Sequence, residues 1–77
     1  MSGRSELHVE VQDGEIIVTL PYSKYGVTYY KPPNSPQLLA RRISLKDDPL
    51  ATMTASDFLA LAWRAANAKA RELGWIV

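Results

Sequence analysis

The feature that most constrains this chain is a two-residue turn signal that follows an alternating strand pattern. Apolar and polar residues alternate from position 7 to position 12, which is the period of a strand with one buried face. Asp13-Gly14 comes next, and a type I′ turn needs positive φ at both central residues. Such a turn fixes the register, so Gln12 must face Glu15 and each pair further from the turn follows. The sequence therefore predicts an N-terminal β-hairpin with one apolar face.

The middle of the chain predicts one or two further strands. Val27–Lys31 is rich in β-branched and aromatic residues and predicts a third strand. Residues 37–44 have two interpretations: a fourth strand that pairs with the third, or a short helix capped by Ser35 with Pro36 at its first position. We favour the strand, because Ile43 and its neighbour Ser44 are weak helix formers and a meander closes simply.

The C-terminal third predicts a long amphipathic helix. Thr54 and Asp57 have the spacing of a capping box, and Gly74 is placed to end the helix in the left-handed conformation. The helix is expected from Ala55 to Leu73, and the apolar tail 75–77 is expected to fold back on the same layer. The predicted buried arc consists of Phe58, Leu59, Ala62, Trp63, Ala66, Ala70 and Leu73.

These elements together predict an α+β fold. We expect a small antiparallel β-meander of three or four strands, in the order β-β-β-β-α, with one long C-terminal helix packed on one face. The chain of 77 residues fits a single small domain, covering 1–77, with a flexible N-terminus over about residues 1–5.

Composition removes several classes of function. The net charge of +1 gives no bulk electrostatic case for nucleic acid or an anionic membrane. The chain has no cysteine and only one histidine, so thiol chemistry and multi-histidine metal sites are excluded. No apolar run is long enough to span a membrane, and the N-terminus lacks the apolar core of a secretion signal. We therefore expect no cofactor, no metal and no membrane partner, and a cytoplasmic location.

Candidate catalytic groups are few. His8 lies on the polar face of the first strand, with Thr19 as its expected cross-strand neighbour. Asp47-Asp48 is the pair of adjacent carboxylates, and such pairs can bind a divalent cation or divide acid and base roles. An exposed histidine and a solvated turn are the commoner readings of these residues. We predict no catalytic, cofactor-binding or metal site, and no enzyme activity.

Charge is segregated along the chain. Four acidic residues and no Lys or Arg occur from Ser5 to Glu15, whereas five basic residues and no acid occur from Ile16 to Lys46. All four tyrosines lie in the basic stretch, and cations interleaved with aromatic rings suit single-stranded nucleic acid. The simpler reading, which we favour, is cross-strand pairing between an acidic and a basic strand. The alternative nucleic-acid surface would consist of Tyr22, Lys24, Tyr25, Tyr30, Lys31, Arg41 and Arg42.

A second irregularity suggests a protein-binding surface. Leu61, Ala65 and Ala68 form an apolar strip on the helix outside the main buried arc, and Ile17 is the large apolar residue on the polar face of the hairpin. Alanines permit close approach of a second helix. We therefore expect a non-catalytic protein-interaction or self-associating module. Its partner would be a second copy of the chain, in a homodimer, or an unidentified protein. The alternative is a single-stranded nucleic-acid-binding module that uses the basic, tyrosine-rich segment 22–46.

Overall fold

The structure is a computed structural model that describes residues 7–46, 51 and 53–77. Four antiparallel strands form one sheet in the order β1-β2-β3-β4, and one helix follows them, so the predicted α+β meander with a C-terminal helix is confirmed. The elements are β1 (His8–Gln12), β2 (Glu15–Thr19), β3 (Tyr25–Tyr30), β4 (Leu39–Leu45) and α1 (Ala55–Glu72). The flexible N-terminus predicted for residues 1–5 lies outside the described residues.

The first hairpin forms with the predicted register. Asp13 and Gly14 both have positive φ, at 52° and 77°. Gln12 consequently faces Glu15, and the pairs continue outward to His8 and Thr19. The alternating apolar residues of both strands then lie on one side of the sheet, where the helix packs.

The connection between β2 and β3 is shorter than predicted, because β3 begins at Tyr25 rather than at Val27. Tyr22 adopts a positive φ of 65°, which reverses the chain within a tight turn. The Ser23 hydroxyl accepts a hydrogen bond from the Tyr25 N–H at 3.1 Å, and the Leu20 N–H donates to the Tyr25 carbonyl oxygen at 3.2 Å. These bonds bring Tyr25 into the ladder two residues early.

The segment after the proline-rich loop is a strand, so the helical alternative for residues 37–44 is wrong. The Ser35 hydroxyl accepts from the Gln37 N–H at 3.2 Å, which makes a local turn instead of a helix cap. Leu38 is then buried, and β4 pairs with β3 along its whole length, with an irregularity between Thr28 and Tyr29. That bulge places two residues of β4 opposite one of β3.

Both ends of α1 are capped as predicted. The Thr54 hydroxyl accepts from the Asp57 N–H at 3.1 Å. At the other end Gly74 has φ 80°, and the Trp75 N–H reaches the Ala70 carbonyl oxygen at 2.8 Å. A second bond, from the Gly74 N–H to the Arg71 carbonyl oxygen, completes a Schellman motif.

The core lies between α1 and the two inner strands. The small side chains of Ala62, Ala66 and Ala70 are fully buried, so the helix lies close to the sheet. Two predicted members of the buried arc are 42–43% exposed: Trp63, whose ring is too large for this close contact, and Leu73, where the chain leaves the helix.

The tail after α1 folds back in part. Trp75 and Ile76 pack against the core as predicted, whereas Val77 is fully exposed. Within the described part of the chain, no helix is both long and apolar enough to span a membrane.

Candidate interaction surface

The outer strands β1 and β4 are exposed, whereas the inner strands are half buried. In β2 and β3 every second residue is buried, as at Val18 and Val27, because α1 packs chiefly on these two strands. No residue within β1 or β4 is fully buried. Among residues 7–46, 51 and 53–77, no strand pairs with the outer side of β1 or β4, so the sheet has two edges with outward-facing backbone donors and acceptors.

The hydrogen-bond phase of the sheet, meaning which cross-strand pairs are hydrogen-bonded and which are not, shows which backbone groups of β4 point outward. The bond from Leu20 to Tyr25 marks these two as a hydrogen-bonded pair, and such pairs alternate with non-hydrogen-bonded ones. Val18 and Val27, two residues further along, are therefore also hydrogen-bonded to each other. Because Val27 uses its N–H and C=O on β2, its partner on the other side, Ile43, directs its own N–H and C=O away from the sheet.

The same phase applies to the opposite edge. Val18 uses its backbone groups on β3, so its β1 partner Val9 directs its N–H and C=O outward. Ile43 and Val9 thus occupy equivalent positions, one at each edge of the sheet.

The edge at β4 carries exposed apolar side chains on both faces of the sheet. Ile43 lies on the helix side, because its partner Val27 does, yet it is 53% exposed. Leu39 pairs with Tyr30 on the side away from the helix, which we call the open face, and is 47% exposed. A strand added beside β4 would cover both side chains.

On the helix side Trp63 adds to this apolar surface. Its ring packs against Tyr29, with the ring centroids 5.7 Å apart, and Tyr29 pairs with Ala40 of β4. The partly exposed indole therefore lies on the helix side of the sheet, beside Tyr29 of β3. Large aromatic side chains of this kind often anchor protein interfaces.

On the open face a charged cluster joins β4 to β2. Arg41 Nε lies 2.8 Å from Glu15 Oε2, and the guanidinium carbon lies 4.3 Å from the centre of the Tyr30 ring. Glu15 of β2 and Tyr30 of β3 are cross-strand partners. The Arg41 side chain therefore crosses over Tyr30 to reach Glu15. This ion pair occupies the charge of Arg41 and covers one face of the aromatic ring.

Strand order separates Glu10 from Arg42. Glu10, Ile17, Thr28 and Arg42 form one row across the four strands, with the acid at one edge and the base at the other. Two strands lie between Glu10 and Arg42, so they cannot pair within one copy. Between the acidic and basic stretches, the structure shows an ion pair of Glu15 on β2 with Arg41 on β4.

The residues predicted as a nucleic-acid surface do not share one exposed face. Tyr25 is buried on the helix side, where its ring centroid lies 5.4 Å from that of Phe58. Tyr22 is fully exposed in the turn before β3. Lys31 Nζ donates to the Pro32 carbonyl oxygen at 3.3 Å. The other members are exposed or half-buried: Lys24, Tyr30, Arg41 and Arg42.

The predicted protein-binding set is also divided. Leu61 and Ala68 are exposed and Ala65 is half-buried, all on α1. Ile17 is half-buried on the open face of the sheet, on the opposite side from the helix. A single flat partner surface could not contact both groups. Leu61 also borders a shallow depression of about 350 Å³, together with Met53 and Arg64.

The candidate catalytic groups are placed as follows. His8 faces Thr19 as predicted, and its Nε2 lies 3.9 Å from Glu10 Oε1 with both side chains more than half exposed. Asp47-Asp48 lies outside the described residues. Among residues 7–46, 51 and 53–77, no three His, Asp or Glu side chains come together as a metal site. Burial raises the pKa of Tyr29 above its usual range.

Sequence reasoning missed the exposed edge at β4. The predicted number of strands per helix contained the signal, because one helix is about 10 Å wide and strands lie about 4.8 Å apart. A single helix therefore covers about two strands and leaves the other two of a four-stranded sheet uncovered. Which side chains would be left exposed, such as Ile43 and Leu39, depends on the strand order and on where the helix crosses.

Comparison with known proteins gives no further identification of this fold or this surface. No family model matches the chain, and neither a curated protein nor a solved structure shows significant similarity to it.

Proposed function

We propose that this chain is a non-catalytic protein-interaction module that binds an extended segment of its partner along β4. The observation that carries the proposal is the outward-facing backbone of Ile43, next to side chains that the helix leaves exposed. An added strand would gain main-chain hydrogen bonds from this edge and contacts from alternate side chains, which is the general mode of β-strand addition.

The chemistry of β4 specifies the kind of segment it suits. On the helix side Ile43 offers an apolar contact, and on the open face Arg42 offers a positive charge. Neighbouring residues of a strand point to opposite faces. The preferred segment therefore alternates an apolar residue, placed beside Ile43, with a carboxylate placed beside Arg42.

The fold is compatible with a reducing compartment. The chain has no cysteine and so needs no disulfide for its stability. A cytoplasmic location is part of the proposal on this ground.

Single-stranded nucleic acid remains the alternative partner, with weaker support. The ion pair with Glu15 occupies Arg41, and Tyr25 is buried, so the predicted surface loses two of its members. Nucleic-acid binding would show steep weakening with salt and would perturb the open face around Tyr30 and Arg42.

The proposal is tested with a short, capped peptide of the sequence Thr-Val-Glu-Val-Thr, titrated to millimolar concentration into dilute isotope-labelled protein. We expect the largest amide shifts at Ile43 and Leu45, whose N–H groups point outward. A matched peptide with Lys in place of Glu should bind more weakly, because its charge repels Arg42. Shifts confined to α1, or no shifts, would overturn the proposal.

A backbone variant separates edge pairing from side-chain contact. Ile43→Pro removes the outward N–H while leaving the bonds from Arg42 and Ser44 to β3 in place, and proline is tolerated at such edge positions. We expect it to abolish peptide binding. Ile43→Ala keeps the N–H and serves as the control, with weakened but measurable binding. Equal binding by both variants would contradict strand addition.

A further inference from the structure

We infer that the segment bound by β4 is β1 of a second copy of this chain, so that the molecules join head to tail through their sheets. This inference rests on the proposed function and names its partner. It follows from three independent matches between the two edges: their backbone phase, their apolar side chains and their charges.

The backbone phase of the two edges is complementary. Ile43 on β4 and Val9 on β1 both direct their N–H and C=O groups outward. If a second copy lies beside the first in the same orientation, its β1 runs antiparallel to β4. Ile43 then exchanges two backbone hydrogen bonds with the second copy's Val9, as in any hydrogen-bonded antiparallel pair.

The side chains match in this register without any shift. Val9, Val18, Val27 and Ile43 already form one row across the helix side of the sheet, so the second copy's Val9 continues that row beside Ile43. Ile43 is 53% exposed at one end of the row, and Val9 is half-buried at the other. The contact would extend the apolar layer from one molecule to the next.

The charges match in the same register. The row that begins at Glu10 ends at Arg42, and in the assembly Arg42 faces the second copy's Glu10. Arg42 and the second copy's Glu10 would form a non-hydrogen-bonded pair, and side chains are closest in such pairs. Opposite charges directly across a strand pair are favourable, whereas like charges are not. At these two positions the acidic and basic stretches of the sequence would thus pair between two copies rather than within one.

A pairing of β4 with β4 of a second copy matches less well. Centred on Ile43, it would place Arg41 opposite Leu45 and Arg42 opposite Ser44, and the acidic strand would take no part. Centred on Arg42, it would place two like charges directly opposite each other. The heterologous contact is favoured, and repeated contacts of this kind form a ring if the rotation closes and a filament if it does not.

Charge reversal tests this contact, with sedimentation velocity over a range of concentrations as the readout. The unmodified chain should associate as concentration rises. Glu10→Arg and Arg42→Glu should each weaken association by roughly tenfold, because each places like charges opposite one another. Arg64→Glu, which makes the same charge change as Arg42→Glu but on the exposed face of α1, should leave association unchanged. Thermal unfolding of the dilute variants checks that each remains folded.

Restoration is the decisive arm. An equimolar mixture of Glu10→Arg and Arg42→Glu chains should associate again, because each variant then meets the opposite charge on the other. The double variant carrying both changes should also associate by itself. Failure of both restorations would overturn the inference. Sensitivity to Arg42→Glu without sensitivity to Glu10→Arg would indicate pairing of β4 with β4 instead.

The two proposals fail in different ways. If the unmodified chain stays monomeric at every concentration while the acidic peptide still binds at Ile43, the head-to-tail assembly is wrong and the partner is another protein. If the peptide does not bind and the chain does not associate, the interaction function of β4 is wrong as well.

Discussion

The inner and outer strands of this sheet differ in what they do for the molecule. In β2 and β3 alternate side chains are sealed beneath α1, as at Val18 and Val27. In β1 and β4 no side chain is fully buried, and within the described part of the chain each of these strands pairs with a neighbouring strand on one side only. Stability is therefore concentrated in the centre of the sheet, and the edges are available for contacts outside the molecule.

The two edges also differ from each other. On β1 the open face carries Glu10 and His8. On β4 it carries Arg42, and the guanidinium group of Arg41 also lies on this face. Edges that are both basic or both acidic would repel a second copy. Opposite edges of opposite charge permit association, and this difference underlies the proposed head-to-tail contact.

The largest expected effect distinguishes centre from edge. Phe58→Ala removes a fully buried ring that packs on Tyr25, and should lower the free energy of unfolding by about 3–5 kcal/mol. Ile43→Ala, at a half-exposed edge position, should cost less than about 1 kcal/mol. Urea unfolding of dilute protein measures both, and Phe58→Leu is a milder variant if the first does not fold. Equal losses would contradict the division.

The next effect concerns the turn that joins an edge strand to a central one. Gly14→Val should destabilise the fold by more than about 1 kcal/mol, because a β-branched residue resists the φ of 77°. A side chain at this position meets no atom within 4 Å, so the cost is one of backbone conformation. Gly14→Asn is the control, since Asn tolerates positive φ. Unchanged melting of the valine variant would mean that the turn relaxes to another type.

A smaller effect is expected for the ion pair that ties β4 to β2. Glu15→Gln should cost less than about 1 kcal/mol, because both partners of the contact with Arg41 are partly exposed. The loss should shrink at high salt, which screens exposed pairs. A double-mutant cycle with Arg41→Met measures the coupling. A coupling of zero at low salt would show that β4 is held by its ladder alone.

The smallest effect is a dependence on pH at the centre of the sheet. Burial raises the pKa of Tyr29 in the folded chain. The stability that comes from burying the neutral phenol is therefore complete below the tyrosine pKa of the unfolded chain, and it is lost as the pH rises from that value through the pKa of the folded chain. Between roughly pH 9 and pH 11, which bracket the usual value of about 10, the unmodified chain should lose more stability than Tyr29→Phe. Parallel curves for the two proteins would contradict this account.

Local signals in the sequence were sufficient for much of the fold. Asp13-Gly14 determines the first register through its backbone conformation, and Thr54 and Gly74 determine the ends of the helix through their caps. Each of these features depends on a few neighbouring residues. They could be predicted because local chemistry and hydrophobic period agree.

The interaction surface could not be predicted in the same way. The exposure of Ile43 depends on which strands α1 covers, and the separation of Glu10 from Arg42 depends on the strand order. Both are properties of the assembled sheet. The strip of Leu61 and Ala68 was predicted from the helix alone, and its relation to a partner stays a prediction.

The measurement that tests the central claim most directly is amide hydrogen exchange along β4 at low and high protein concentration. In dilute protein the Ile43 amide should exchange rapidly, while the amides of Arg42 and Ser44, which point to β3, should be protected. At high concentration the Ile43 amide, and with it the Val9 amide, should become protected. An Ile43 amide already protected in the dilute monomer, or one that stays unprotected after association, would contradict the account.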